Sequence, residues 1–223
     1  MNAMPYGAIF DVDGVLANTE ALIARATIAM FRELYDIELT PEDFRPYIGT
    51  GAKRYTQGPA EERGIEIDLD KAIHKRHENF IALVQSGEPI AFPGADELIE
   101  AIYKHPEWKL AIATSSPGEK ASATLAAAAV DLSKLDAVIT GDMVSNTKPH
   151  PEIYLTTSKI INVAPQNCVV IEDAMAGIEA AKSAGMHCIA VTTTFSAQQL
   201  SAADQIVDSL RQIDLAMLLA LVA

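Results

Sequence analysis

The sequence predicts an α/β fold, a doubly wound parallel sheet with an α-helical cap inserted after its first strand. Three observations predict it. Short apolar runs recur along the 223 residues, separated by segments with helical spacing. One long segment breaks that alternation and offers helices only. The composition is 49% apolar yet only 6% aromatic, a palette of Ala, Ile, Leu and Val that suits helices packed on a buried parallel sheet.

Ala8-Ile9-Phe10 is the first strand. No convincing strand follows between Thr19 and Phe92. Leu22, Ala26, Met30 and Leu34 share one face of a first helix, and Ala72 to Val84 forms another with its charges outward. Between them Gly49-Thr50-Gly51-Ala52-Lys53 reads as a flexible turn, because glycine readily takes positive φ. Phe92-Pro93-Gly94 punctuates the return to alternation. Ala95, Leu98, Ile99 and Ile102 then repeat at helical spacing, and Leu110 to Ala113 is the next strand. Ala137-Val138-Ile139, Val169-Val170-Ile171 and Cys188 to Val191 read as three more, with Gln205-Ile206-Val207 a weaker sixth. Helical patterns over Ile153 to Ile161 and Ala176 to Ala184 lie between them. The expected organisation is a core of residues 1–18 and 93–223 and a helical cap of residues 19–92, with hinges near Ala17-Asn18 and Ala91 to Gly94.

The formal net charge of -13 repels phosphate backbones, so nucleic acid and anionic membranes are poor partners. No basic stretch leads into an apolar one at the N-terminus, and no apolar run reaches the about 18 residues a membrane helix needs. Leu215 to Ala223 is a core-packing helix or a contact for a second copy. A cytoplasmic enzyme, monomeric or weakly dimeric, is expected. Cys168 and Cys188 sit in apolar runs without metal-site spacing, as buried thiols of a reducing compartment do. An acidic protein that handles anionic substrates needs local compensation, either a metal or a few placed cations.

The strand ends supply it. Ligands of open α/β sheets bind beyond the carboxyl ends of the strands. There the first strand delivers Asp11-Val12-Asp13-Gly14, the second Thr114-Ser115-Ser116, the third a loop with Lys148-Pro149, and the fourth Glu172-Asp173. Crowded together, Asp11, Asp13, Glu172 and Asp173 would repel and take up protons. A hard dication removes that conflict, and Mg²⁺ prefers a few carboxylates with its remaining positions facing water and a substrate phosphate. Lys148 and the Thr114 hydroxyl can serve the phosphoryl oxygens. A carboxylate can attack phosphorus, while its partner protonates the leaving oxygen and then deprotonates water.

These residues resemble the haloacid dehalogenase superfamily. Its motifs appear in order as Asp11-Val12-Asp13-Gly14-Val15, Ile112-Ala113-Thr114, Lys148-Pro149-His150-Pro151 and Ile171-Glu172-Asp173-Ala174-Met175-Ala176-Gly177-Ile178. The likeness covers the whole chain and is greatest to the branch with β-phosphoglucomutase and related phosphatases. It implies a Rossmann-like core and a Mg²⁺-dependent phosphatase of a small phosphorylated metabolite such as a sugar phosphate. It also implies Asp11 as nucleophile and metal ligand, and Asp13 as acid/base lending its carbonyl to the metal. Thr114 and Lys148 would bind the phosphoryl group, Glu172 and Asp173 complete the metal site, and Gly14, Ser115, Lys53 and His150 face the substrate.

Departures bear on the activity. Asp13 is absent from the family's dehalogenases and phosphonate-cleaving members, so neither activity is expected. The mutases carry a His about ten residues after the second Asp, where Ile23 stands, and a cap-loop Arg, where counting from Gly49 gives Ala52 with Lys53 and Arg54 beyond. A β-phosphoglucomutase-like mutase is therefore the alternative. Lys53, Arg54 and Arg63 form either a substrate-reading set or a solvated face, and His74 and His77 lie on a charged helix face. Trp108 is expected to pack rather than to stack on a ligand.

Overall fold

The apolar runs become the strands of one sheet. The computed structural model describes residues 5–48 and 51–222. The strands are β1 (Tyr6–Phe10), β2 (Trp108–Ala113), β3 (Ala137–Ile139), β4 (Cys168–Glu172), β5 (His187–Val191) and β6 (Gln205–Val207). They pair in the order β3-β2-β1-β4-β5-β6, and every pairing is parallel. β1 is central, and the strand order reverses between it and β4. Register aligns Phe10 with Ile112 on one side and with Ile171 on the other. The residues after each strand therefore emerge at one edge.

The chain divides into two compact units, Met1–Asn18 with Ile90–Ala223, and Thr19–Pro89. The second boundary lies at residue 90, three residues before the expected one. Backbone bonding sets it there: Asn18 N–H donates to Ile90 O at 2.7 Å and Phe92 N–H to Leu16 O at 3.0 Å, with Ala17 and Ala91 in an antiparallel bridge.

The larger unit packs helices on the sheet, among them α4 (Ala95–Tyr103), α5 (Gly118–Ala127), α6 (Glu152–Ile160) and α7 (Met175–Ser183). Its core joins Ile9, Val170, Ile153, Tyr154, Ile178 and both cysteines, all buried. Trp108 is buried in β2 against Tyr6, with ring centroids 5.2 Å apart. In α8 (Leu215–Val222) Leu218 is fully buried.

The smaller unit is helical: α1 (Glu20–Tyr35), a 3₁₀ segment Pro41–Tyr47, α2 (Ala52–Glu62) and α3 (Leu69–Val84). Met30, Phe31, Phe44, Tyr47 and Tyr55 form its core, with Phe44 and Tyr55 stacked at 5.2 Å. No local pattern marks α2, which carries Gly58-Pro59 in its interior. Packing overrides that propensity, because a Cβ on Gly58 would collide with the Tyr47 ring. Ala52 and Lys53 thus open a helix rather than continue a turn, while Gly49 and Thr50 lie outside the described residues. No helix among the described residues is long and apolar enough to cross a membrane.

Phe10 is fully buried at the end of the central strand. Phe10→Ala is expected to destabilise the larger unit by about 3–5 kcal/mol. An unchanged midpoint in urea unfolding would contradict this placement.

Candidate active site

The geometry of the site begins where β1 stops. Asp11 N–H still donates to Ile171 O at 3.0 Å, and then the chain curls, with Val12 O accepting from Leu16 and Ala17 N–H at 3.0 Å each. Gly14 permits the curl at φ 86. A Cβ there would also strike the Asp173 carboxylate, so glycine is required twice over. Thr193 Oγ1 fastens the curl by donating to Gly14 O.

Asp11, Glu172 and Asp173 are all buried, and their oxygens lie within 4.8 Å of one another. Lys148 reaches in from the loop after β3. Its ammonium donates to Asp11 Oδ1 at 2.5 Å, Glu172 Oε1 at 2.7 Å and Ala113 O at 3.0 Å. It also lies 5.0 Å from the centroid of the Tyr154 ring. Glu172 is the most heavily engaged member. Oε1 also accepts from Tyr154 Oη at 2.8 Å, and Oε2 accepts Asp173 and Ala174 N–H at 2.9 and 3.1 Å. It can enter a metal shell only by sharing an oxygen that already accepts two hydrogen bonds.

Burial dominates the electrostatics. It raises the Asp11 carboxyl from the usual 3.8 to about 7 against the pull of Lys148, and Glu172 and Asp13 push the same way. Asp173 is driven well up by burial and by Glu172 and Asp11. Burial works against the charge of Lys148, yet Asp11 and Glu172 overcome it, so the ammonium holds its proton more firmly than usual. One cation thus faces three crowded carboxylates, the environment that a bound dication relieves.

Asp13 is not in that cluster. Its side chain turns to Ser116 Oγ at 2.7 Å and to Lys120 Nζ at 2.8 and 3.0 Å. The acids expected to crowd together are therefore three and one, because the chain leaves the strand after Asp11 and curls, which turns Asp13 toward Ser116 and Lys120. Thr114 is buried at the end of β2, where its hydroxyl accepts Ser116 N–H at 3.1 Å. Ser115 is exposed beside it. His150 is exposed, and its Nδ1 accepts Glu152 N–H at 3.2 Å; among the described residues none of its hydrogen bonds reaches the acidic cluster. Lys53 is exposed on α2 in the other unit. The basic trio of the cap is not one patch of free charge. Arg54 pairs with Glu61 and covers the Tyr47 ring, and Arg63 pairs with Asp43 at 2.5 Å. The sequence reading quoted Ser116 after the second strand without giving it a role. Lys120 and Tyr154 escaped it, because no local pattern marks them.

Comparison with known proteins finds a family, relatives and solved structures to which the chain is similar. The family model described as haloacid dehalogenase-like hydrolase matches residues 8–191. The chain is 42% identical over 192 residues to "Protein SUPPRESSOR OF QUENCHING 1, chloroplastic" of Arabidopsis thaliana, covering 84% of this chain but only 18% of that protein. It is 33% identical over 212 residues to the validoxylamine A 7'-phosphate phosphatase of Streptomyces hygroscopicus subsp. limoneus, covering 92% of this chain and 94% of that one. The fold superposes on the crystal structure of CbbY from Rhodobacter sphaeroides in complex with phosphate with a TM-score of 0.82 and 30% identity, over 96% of this chain and 99% of that chain.

Two outcomes follow from the buried charges. The folded chain holds the Asp11 proton more tightly than the unfolded chain, with values of about 7 against 3.8. The stability this contributes is fullest below about pH 4 and lost as pH rises through about 7. With chelator present, Asp11→Asn is therefore expected to melt progressively above the wild type across that window, and a gap independent of pH would contradict it. A Cβ on Gly177 would collide with the Glu172 carboxylate. Gly177→Ala should therefore cost about 1–3 kcal/mol of stability in thermal unfolding.

Proposed function

The chain belongs to the haloacid dehalogenase-like hydrolase family, and from that premise we propose that it hydrolyses phosphoric monoesters of small sugar-like metabolites with Mg²⁺, through an aspartyl-phosphate on Asp11. The observation that carries this reading is Lys148 lodged between Asp11 and Glu172, with Asp173 beside them, at the carboxyl ends of β1 and β4.

The donor set suits the metal. Buried carboxylate oxygens within 4.8 Å of one another are the hard ligands that Mg²⁺ takes. Asp11, Asp173 and the Asp13 carbonyl would hold it, with Glu172 sharing an oxygen. When bound, the dication neutralises the crowded carboxylates and polarises the phosphoryl oxygens.

The residues then divide the work. Asp11 attacks phosphorus while the ester P–O bond breaks and Asp13 protonates the leaving oxygen. Water next attacks phosphorus, Asp13 takes its proton, and the bond to Asp11 breaks to release inorganic phosphate. Lys148 steadies Asp11 and the phosphoryl charge, and the Thr114 hydroxyl and nearby N–H groups donate to phosphoryl oxygens. Ser115 and His150 are assigned to the exposed border of the phosphate site, and Lys53 to the cap's reading of an anionic substrate. The two buried free thiols support a reducing, cytoplasmic setting.

A mutase passes the phosphoryl group to a second sugar position instead. Ile23 disfavours it, being half-buried against the apolar cluster of the cap, where a mutase carries a histidine. Ala52 opens α2 without a cation.

Phosphate release from a panel of phosphorylated metabolites tests the reading. Release should need Mg²⁺ and fall at least about a thousand-fold in Asp11→Asn. Full activity in that variant would sink the mechanism, and isomerisation of glucose 1-phosphate without phosphate release would favour the mutase. Because Asp11 titrates near about 7, Mg²⁺ should bind more tightly as pH rises through that value and release protons below it, which calorimetry in buffers of different ionisation enthalpy measures.

A further inference from the structure

We propose that Lys120 and Ser116 are positioning residues for Asp13, holding its carboxylate in the orientation from which it takes the proton of the attacking water. The inference rests on the phosphatase reading and adds residues outside the four motifs.

Lys120 Nζ lies 3.0 and 2.8 Å from the two Asp13 oxygens and 2.9 Å from Ser116 Oγ. Ser116 Oγ in turn donates to Asp13 Oδ2 at 2.7 Å. A carboxylate held at both oxygens by a cation, and at one of them by a hydroxyl as well, keeps one orientation. The pair is largely enclosed, with side chains 17% and 27% exposed, so it is less screened than a surface ion pair.

The helix itself gives Lys120 no reason to be there. It lies in the first turn of α5, where the partial positive charge of the free N–H groups disfavours a cation. At that end Gly118 N–H already turns to Asp142, at 3.2 and 3.3 Å from its two oxygens. Asp13, at the end of a different strand, is what Lys120 meets. Ser116 is itself positioned, buried and tied through its N–H to Thr114 Oγ1 at 3.1 Å. The Thr114 loop thus both serves the phosphoryl group and anchors the acid/base.

The two half-reactions depend on Asp13 differently. When the ester carries a good leaving group, phosphorylation of Asp11 needs no proton from Asp13. Hydrolysis of the aspartyl-phosphate always needs the Asp13 carboxylate: the water oxygen bonds phosphorus, its proton moves to Asp13 and the phosphorus–Asp11 bond breaks. Freeing the carboxylate from its latch should slow the second half and spare the first.

The test is stopped-flow turnover of p-nitrophenyl phosphate with Mg²⁺ by the wild type, Lys120→Met, Lys120→Arg and Ser116→Ala. Lys120→Met should release a rapid burst of nitrophenol approaching one per enzyme, followed by a steady rate about 10- to 100-fold below wild type. With glucose 6-phosphate, whose alkoxide must be protonated, the same variant should show no burst. Lys120→Arg should restore most of the rate, since a guanidinium can meet both oxygens. Ser116→Ala, which keeps the ion pair, should fall less and gives a second reading if Lys120→Met unfolds. A steady rate within about two-fold of wild type in both Lys120→Met and Ser116→Ala, or burst and steady rate falling together without rescue by Arg, would overturn the inference. Failure of the phosphatase reading looks different: the wild type itself would then form no phosphoenzyme, and this inference would fall with it.

Discussion

One buried contact organises the site: the Lys148 ammonium against Asp11 and Glu172. The three side chains are at most 9% exposed. Removing a charge from water costs several kcal/mol unless partners replace the lost hydration, and a deep pair is tolerated only when its remaining donors and acceptors are filled. Here Ala113 O, Tyr154 Oη and two backbone N–H groups fill them. Each comes from a different part of the fold, so β2, β4, α6 and the loop after β3 must all be in place for the charges to be accommodated.

The same constraint explains small residues at fixed points. Gly177 and Gly14 lie against the Glu172 and Asp173 carboxylates, where any Cβ would strike oxygen. Their role is space as much as backbone freedom, since the carboxylates converge only if nothing stands behind them. Burial first, and then a charge balance of one ammonium to three acids, make Asp11 and Asp173 hold protons readily, and a dication suits the position.

The division between Asp11 and Asp13 is a consequence of the curl that follows β1. Two residues that share a short turn after β1 would be expected to act as a like-charged couple. Instead each has its own ammonium, Lys148 for Asp11 and Lys120 for Asp13. Separate partners keep the two carboxylates from competing for one cation, which is what the proposed division into nucleophile and acid/base requires.

Strand positions, the helical interruption and the acidic motifs were legible in the chain itself, because apolar periodicity and turn residues are local signals. So was the gathering of Asp11, Thr114, Lys148 and Glu172 at one edge, since parallel strands all end on the same side of a sheet. Folding alone decided the rest. Lys120 and Asp13 are 107 positions apart, a distance across which no local pattern carries information. The helix over Gly58-Pro59 exists because Tyr47 packs against it, against its own propensity. The separation of Asp13 from the other acids likewise required three dimensions, because a sequence shows that carboxylates are near one another but not which cation each one meets.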